Sequence, residues 1–354
     1  MMQIAKDPVV RFRTVGLSLT MQCNFLCEHC ITESTPDMTE TIEREKAFEL
    51  IEDISRESES VCFTGGESLL REELLLECME KANEKGLTIS LVSNGFWAVN
   101  DDAARKKLKK LCDAGLDGIC ISLDRFHLPY VSKENALRAA RICKEFNLKQ
   151  VIRVCTIEDD GFPAELKNET KDTDIKLQIV RALRLGRAQH IPLMSFNLLK
   201  EYPDGCCTTV LSPVILPSGL VQSCCGPGTH FGERNPLNTG NWKSERLRDI
   251  LRRSRTSPFV MALHNIGPKG ILDLLYKYGY SDILQKRDYY TGICELCIDI
   301  CNNPDIVSAM ESLFNKDEIK SQLIAGQVYQ QSFSYLKKNG FLDLPGNTEG
   351  EAVS

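Results

Sequence analysis

Nowhere does the 354-residue chain hold an apolar run of about 18 uncharged residues, the length a helix needs to cross a bilayer. The stretch from Met1 to Arg13 lacks the apolar core and small-residue cleavage site of a secretory signal. The sequence therefore predicts a cytoplasmic protein that is neither exported by a signal peptide nor membrane-spanning. An excess of basic charge is also missing. Against 49 Asp and Glu stand 43 Lys and Arg, a net charge of -6, which gives no whole-chain electrostatic reason to bind nucleic acid or an anionic membrane. No internal repeat or low-complexity tract is present, and 42% hydrophobic with 26% charged residues is an ordinary globular composition that excludes disordered and fibrous classes.

Cysteine, by contrast, is abundant, at 16 residues. Thiols in a cytoplasmic protein are kept reduced, so metal or redox chemistry, not a disulfide framework, is the expected use. Cys23, Cys27 and Cys30 form a tight trio. Cys62, Cys78, Cys112, Cys120, Cys143 and Cys155 lie singly in periodic segments and read as small buried hydrophobes. Cys206, Cys207, Cys224, Cys225, Cys294, Cys297 and Cys301 lie further on, amid Gly, Pro and Asn, in what reads as loop sequence where ligands converge.

From about residue 10 to 190, short β-rich runs alternate with amphipathic helical patterns. The strands are expected at Arg13 to Leu19, Ser60 to Thr64, Thr88 to Val92, Gly118 to Leu123, Lys149 to Cys155 and Ile175 to Val180. Helices are expected at Arg44 to Glu57, Glu72 to Glu84, Ala103 to Ala114 and Lys133 to Phe146. This alternation predicts an α/β fold with a parallel sheet, open or curled into a partial barrel, and functional loops at the strands' C-terminal ends. Chemistry-bearing residues do follow the strands: the cysteine trio, then Gly65-Gly66-Glu67, then Ser93-Asn94-Gly95, then Asp124 to His127. The expected organisation is a core over 1–200, a cysteine-rich part over 201–305 that is turn-rich to Asn241 and mostly helical after it, a helical segment over 306–342 and a disordered tail over 343–354.

Three thiolates cannot close a tetrahedral zinc site, and His29, beside Cys30, is poorly placed as a fourth ligand. Three do suit a four-iron cluster with one iron open to a non-protein ligand. Cys-x3-Cys-x2-Cys after the first strand, followed by Gly-Gly-Glu after the second, resembles the radical S-adenosylmethionine (SAM) superfamily, with one mild departure. The residue before the third cysteine is usually aromatic there, and is His29 here.

That resemblance implies a partial (β/α)6 barrel in which Cys23, Cys27 and Cys30 hold a 4Fe–4S cluster that chelates SAM. One-electron cleavage would give a 5′-deoxyadenosyl radical, which takes a hydrogen atom from substrate. It further implies SAM contacts from Gly65, Gly66, Glu67, Ser93, Asn94, Ser122, Arg153 and Gly186. Asp124 and His127 are candidate substrate contacts, though their spacing equally suits a turn. A flavodoxin or ferredoxin-type reductant would supply the electron.

Cys207, Gly219 and Cys224, then Cys294, Cys297 and Cys301, resemble the SPASM or shorter twitch domains that carry auxiliary 4Fe–4S clusters. The pattern is partial, so one auxiliary cluster is expected, held by Cys207 or Cys206, Cys224 or Cys225 and two of Cys294, Cys297 and Cys301, with two clusters or a structural zinc site as the alternatives. Ile215 to Gln222 reads as a hairpin turning at Pro217-Ser218-Gly219. In the doubled thiols, one member would ligate and its neighbour face the barrel mouth, which makes Cys225 a candidate hydrogen-atom donor. Six basic and two acidic residues in Asn241 to Val260 read as a solvated face that an acidic peptide or a phosphorylated substrate would also fit.

Maturation of a peptide or natural-product intermediate is the expected function. A sugar, aminocyclitol or nucleoside dehydrogenase or epimerase is the alternative, and a non-catalytic iron–sulfur electron carrier a further one. Only 22 residues precede Cys23, so no fused leader-binding domain is expected ahead of it.

Overall fold

The computed structural model describes residues 12–157, 161–224, 235–281 and 283–338. Cys225 and the tail over 343–354 lie outside them. Six strands, β1 (Val15–Thr20), β2 (Ser60–Gly65), β3 (Thr88–Ser93), β4 (Gly118–Ser122), β5 (Lys149–Thr156) and β6 (Leu177–Arg181), pair in parallel in chain order. Helices α1 (Arg44–Ser55), α2 (Glu72–Glu84), α3 (Asp101–Asp113), α4 (Lys133–Cys143) and α5 (Phe162–Thr170) connect them. The result is the expected α/β partial barrel, with strand boundaries shifted by one or two residues.

Alternation along each strand sorts the two faces. Val61 and Phe63, Ile89 and Leu91, Ile119 and Ile121, and Ile152 and Val154 are buried with Leu50, Ile54, Leu75, Met79, Leu108 and Ile142 in the main apolar core. Residues in the other phase, including Cys62, Thr64, Cys120, Ser122, Arg153 and Cys155, share the opposite, concave face. Two of the helices are capped where their sequence says they should be: Asn100 Oδ1 accepts from Ala103 N at 2.8 Å, and Ser132 Oγ from Glu134 N at 3.3 Å.

The sheet does not stop at the expected boundary near residue 200. Strand β7 (Val214–Ile215) pairs parallel to β1, and β8 (Leu220–Gln222) and β9 (Asn238–Asn241) follow antiparallel, giving a nine-stranded order 6-5-4-3-2-1-7-8-9. The expected hairpin is β7–β8. Helices α6 (Leu247–Thr256), α7 (Pro258–Asn265), α8 (Gly267–Lys277), α9 (Ile293–Asn302), α10 (Pro304–Phe314) and α11 (Asp317–Lys338) complete the chain. Helices α7 to α11 form a second apolar core around Phe259, Leu263, Leu272, Tyr290, Leu296, Met310 and Phe314, whereas Leu247, Ile250 and Leu251 of α6 join the main core.

The basic stretch after residue 241 does face solvent, with Lys243, Arg246, Arg252 and Arg253 exposed, but its five arginines are also paired. Arg248 Nε and Arg252 Nε lie 3.0 and 2.9 Å from Glu57 Oε1, and Arg255 also pairs with that buried carboxylate. Arg246 reaches Asp53 at 3.4 Å, and Arg253 reaches Glu245 at 2.9 Å. The pairs to Asp53 on α1 and to Glu57 just past its end dock α6 there, so the arginines expected to receive an acidic or phosphorylated substrate are already engaged within the fold. Removing one partner of a buried pair strands the other charge. Glu57→Ala should therefore cost about 3 kcal/mol of stability, read as a fall in the denaturant midpoint; an unchanged midpoint would mean that α6 docks through its apolar side alone.

Candidate active site

The chain leaves β1 and enters Cys23 to Cys30 at the mouth of the sheet. The loop after β2 is bonded directly beneath it: Gly66 N donates to Thr20 O and Glu67 N to Gln22 O, both at 2.8 Å. No side chain fits at that crossing. A Cβ on Gly65 would lie 2.3 Å from Thr20 O, and one on Gly66 would lie 2.1 Å from Gln22 O. The glycine pair thus makes room for the cysteine loop itself.

From the far side, Arg187 holds the same loop. Its Nε donates to Cys27 O at 3.0 Å, its Nη1 to Ser34 O at 2.9 Å and its backbone N–H to Cys30 O at 3.0 Å. Gly186, in the left-handed region at φ 58°, abuts Cys30 O, where a Cβ would sit 2.5 Å away. Gly186 therefore accommodates the cysteine loop. Phe25 stacks on Tyr130 at 5.2 Å, and Tyr130 Oη donates to Leu26 O at 2.9 Å. Arg187 and Tyr130 were not singled out by sequence, because nothing local marks a residue more than 100 positions away as a clamp.

Cys27 is buried, while Cys23 and Cys30 are partly so. Burial first, then the nearby charge of the other thiols, pushes Cys27 up to about 12; burial, with contributions from Glu67 and Cys30, pushes Cys23 up to about 11. Three crowded, desolvated thiols are a poor set on their own and a suitable one around a thiophilic cationic centre, which would offset both penalties. The donor set therefore fits an iron–sulfur cluster.

Glu67 lies just behind the trio, fully buried. Its carboxylate accepts from Asn94 N at 2.8 Å, Leu69 N at 3.2 Å and Ser93 Oγ at 3.2 Å. Ser93 Oγ is itself fixed as donor toward Glu67, since it accepts from Trp97 Nε1 at 3.0 Å and Gly95 N at 3.2 Å. Burial pushes Glu67 up to about 7, with the donors from Asn94, Leu69 and Ser93 opposing it. Asn94 Nδ2 approaches Cys23 Sγ at 3.9 Å and Asn24 Oδ1 at 2.9 Å, which ties the turn after β3 to the cysteine loop.

The turn after β4 closes the mouth. Asp124 is buried and accepts from the N–H groups of Phe126, His127 and Cys155 at 3.0, 3.2 and 3.3 Å. Its Oδ1 also lies 2.7 Å from His127 Nδ1, and its Oδ2 3.6 Å from His29 Nε2. Burial pushes Asp124 up, but the hydrogen bond and charge of His127 and the approach of His29 outweigh it and hold the group below its usual range. Burial, the largest influence, pushes His29 down to about 4, so it is neutral. Its ring stacks on Phe126 at 4.5 Å, which makes His29 a third member of the Asp124–His127 pair and not a companion ligand to Cys30.

Ser122 and Arg153 are register partners on the concave face. Arg153 is exposed there, with Nε donating to Gln178 Oε1 at 3.1 Å.

The C-terminal thiols take a different form from the expected loop ligands. Cys294, Cys297 and Cys301 stand on α9, three and then four residues apart, along one side of the helix. Cys297 Sγ and Cys301 Sγ are 3.9 Å apart, and that contact, followed by burial, pushes Cys297 well above its usual range. Cys207, Cys224, Cys297 and Cys301 all border the second apolar core. Cys206 and Cys207 face different ways: Cys207 Sγ lies 3.4 Å from Thr209 Oγ1, whereas Cys206 is exposed with its Sγ 3.3 Å from Asn265 O.

The chain is similar to several known proteins. Residues 17–174 match the family model of the radical SAM superfamily. YydG of Bacillus subtilis (strain 168), which carries the name of a peptide biosynthesis protein, is 22% identical over 317 residues, covering 86% of this chain and 98% of that protein. The GTP 3′,8-cyclase of Helicobacter pylori (strain J99 / ATCC 700824) is 32% identical over 193 residues, 50% of this chain and 58% of the cyclase. Among solved structures, BtrN in complex with AdoMet and 2-DOIA superposes with a TM-score of 0.44 at 15% identity, over 73% of this chain and 89% of BtrN. Residues 17–174 of the chain carry a radical SAM domain.

Proposed function

We propose that this protein matures a peptide: it cleaves SAM reductively and takes a hydrogen atom from a residue of the peptide substrate. The observation that carries the reading is the joining of Cys23, Cys27 and Cys30 to Glu67, Ser93 and Asn94 at the mouth of one parallel sheet. The peptide class is supported by the end-to-end match to YydG.

Cys23, Cys27 and Cys30 would hold the cluster. Glu67, backed by Ser93 and Asn94, would take the SAM ammonium; Gly65 and Gly66 would set the loop beside it, Arg153 would take an anionic group in the barrel, and Ser122 would line the same face. When bound, the cluster and SAM supply a 5′-deoxyadenosyl radical by one-electron cleavage of a carbon–sulfur bond, with methionine as the other product. Phe25, Tyr130 and Arg187 keep the cysteine loop rigid, as a radical reaction with one correct C–H bond requires. Asp124 and His127 present a fixed polar edge to substrate. Cys207, Cys224 and two of Cys294, Cys297 and Cys301 would supply the four ligands of one auxiliary cluster, placed to bind substrate or accept a second electron.

Anaerobically reconstituted protein given SAM and dithionite should release 5′-deoxyadenosine, and short peptides should accelerate this where GTP does not. Absence of 5′-deoxyadenosine under every condition would sink the enzyme reading, and acceleration by GTP alone would sink the peptide one.

A further inference from the structure

The nine-stranded sheet has two ends, and they differ. At one end, β9 is already covered: Arg253 donates to Thr239 O through Nε at 3.1 Å and Nη2 at 2.6 Å. At the other end lies β6. Its ladder to β5 runs through Ile152 N to Lys176 O and Ala182 N to Thr156 O, so Gln178 and Val180 face β5. The N–H and C=O groups of Leu177, Ile179 and Arg181 therefore point away from the sheet. Among the described residues, no hydrogen bond reaches them.

This free edge is also charged in one sense. Residues 175–190 include Lys176, Arg181, Arg184 and Arg187 and no Asp or Glu. Arg187 is spent on the cysteine loop and Arg184 Nη2 donates to Gln189 O at 3.0 Å. Lys176 and Arg181, at the two ends of the strand, are exposed and have no ion pair among the described residues. Like charge at both ends repels a second copy of the same edge, a known device against strand-to-strand aggregation, and attracts an acidic strand. Position adds to this. The mouth end of β6 leads within a few residues to Gly186 and Arg187, which touch Cys30, and Gln178 on its concave face holds Arg153.

We propose that the outer edge of β6 binds an extended, acidic segment of the peptide substrate as an added strand, with Lys176 and Arg181 recognising its carboxylates. The inference rests on the peptide reading above and names how the peptide is held. Main-chain bonds from Leu177, Ile179 and Arg181 give affinity without demanding a sequence, and the flanking cations give the charge preference.

The probe is an acetylated, amidated octapeptide alternating glutamate and threonine, with a lysine–threonine counterpart. In the free protein, the amides of Leu177, Ile179 and Arg181 should exchange fast and those of Gln178 and Val180 slowly. At saturation the glutamate probe should slow the first set about tenfold, and the lysine probe should not. Ile179→Pro removes an edge donor without touching the β5 ladder and should weaken the glutamate probe about tenfold, with Ile179→Val unchanged. Equal protection by both probes would overturn the acidic preference. Unprotected odd-numbered amides in wild-type protein would overturn the edge as the site, whatever the proline variant does. Peptide-stimulated 5′-deoxyadenosine with an unprotected edge would refute this inference and leave the peptide reading standing; edge protection with no peptide stimulation would refute the peptide reading and leave the edge as a binding site for an acidic strand that is not a substrate.

Discussion

Protein carrying Cys23→Ala, Cys27→Ala and Cys30→Ala together should form no 5′-deoxyadenosine above background, yet still bind iron. The two halves of this result test different parts of the molecule. The trio sits in one loop pinned by Arg187, Tyr130 and the Gly65-Gly66 crossing, and its thiols lie close enough to raise one another's pKa. The C-terminal thiols border a separate apolar core, with Cys297 and Cys301 paired on α9. Two 4Fe–4S clusters would hold about eight iron atoms per chain, and the triple variant about four. Adding Cys297→Ala and Cys301→Ala should then bring iron close to zero. Loss of all iron in the triple variant would mean that the C-terminal thiols hold no cluster of their own. Zinc in place of the remaining iron would assign them to a structural metal site instead.

The parts of this architecture that could be read from sequence are those set by local periodicity. Alternation along β2, β3, β4 and β5 and the three-and-four spacing of α2 and α4 placed the sheet, and with it the turns that carry Cys23, Glu67, Asn94 and Asp124. Contacts between distant segments left no such trace. Arg187 clamps a loop some 160 residues earlier, and Glu57 collects three arginines from α6. The basic run does face solvent, but its pairing with the buried Glu57, just past the end of α1 and about 190 residues earlier, left no local sign. In α9 the helix itself was expected and the thiols were not placed on it: Ile293, Leu296 and Ile300 recur at three and four and are buried, and Cys294, Cys297 and Cys301 ride the same helix in place of a loop. His29 looked like a poor ligand to the same metal as Cys30. Only the fold brings Asp124 and Phe126 to it.

Glu67→Ala should weaken SAM binding by roughly 10- to 150-fold, the range that loss of a hydrogen bond to a charged group implies. Without the side chain, Asn94 N, Leu69 N and Ser93 Oγ lose their common acceptor in a fully buried place, so the variant should also lose about 2 kcal/mol of stability. The pH dependence separates binding from folding. Burial raises the folded-state pKa to about 7 from its usual 4.5, so between these values the folded protein holds a proton that the unfolded chain releases. Ionising Glu67 in the empty site therefore costs stability as pH rises from about 4.5 to 7, and the stability gap between wild type and Glu67→Ala should narrow across that window. Binding runs the other way. A cationic ammonium beside Glu67 favours the ionised carboxylate, so SAM affinity should increase as pH rises through about 7. In Glu67→Gln, which keeps shape and one acceptor but cannot ionise, that increment should disappear, and comparing the two proteins cancels any titration of SAM itself. Calorimetric titration of SAM into reconstituted wild type and Glu67→Gln at pH 6 and 8 measures the difference. Equal pH profiles would show that Glu67 only braces the turn after β3, whereas a flattened profile with the fold intact would place its charge on the ligand.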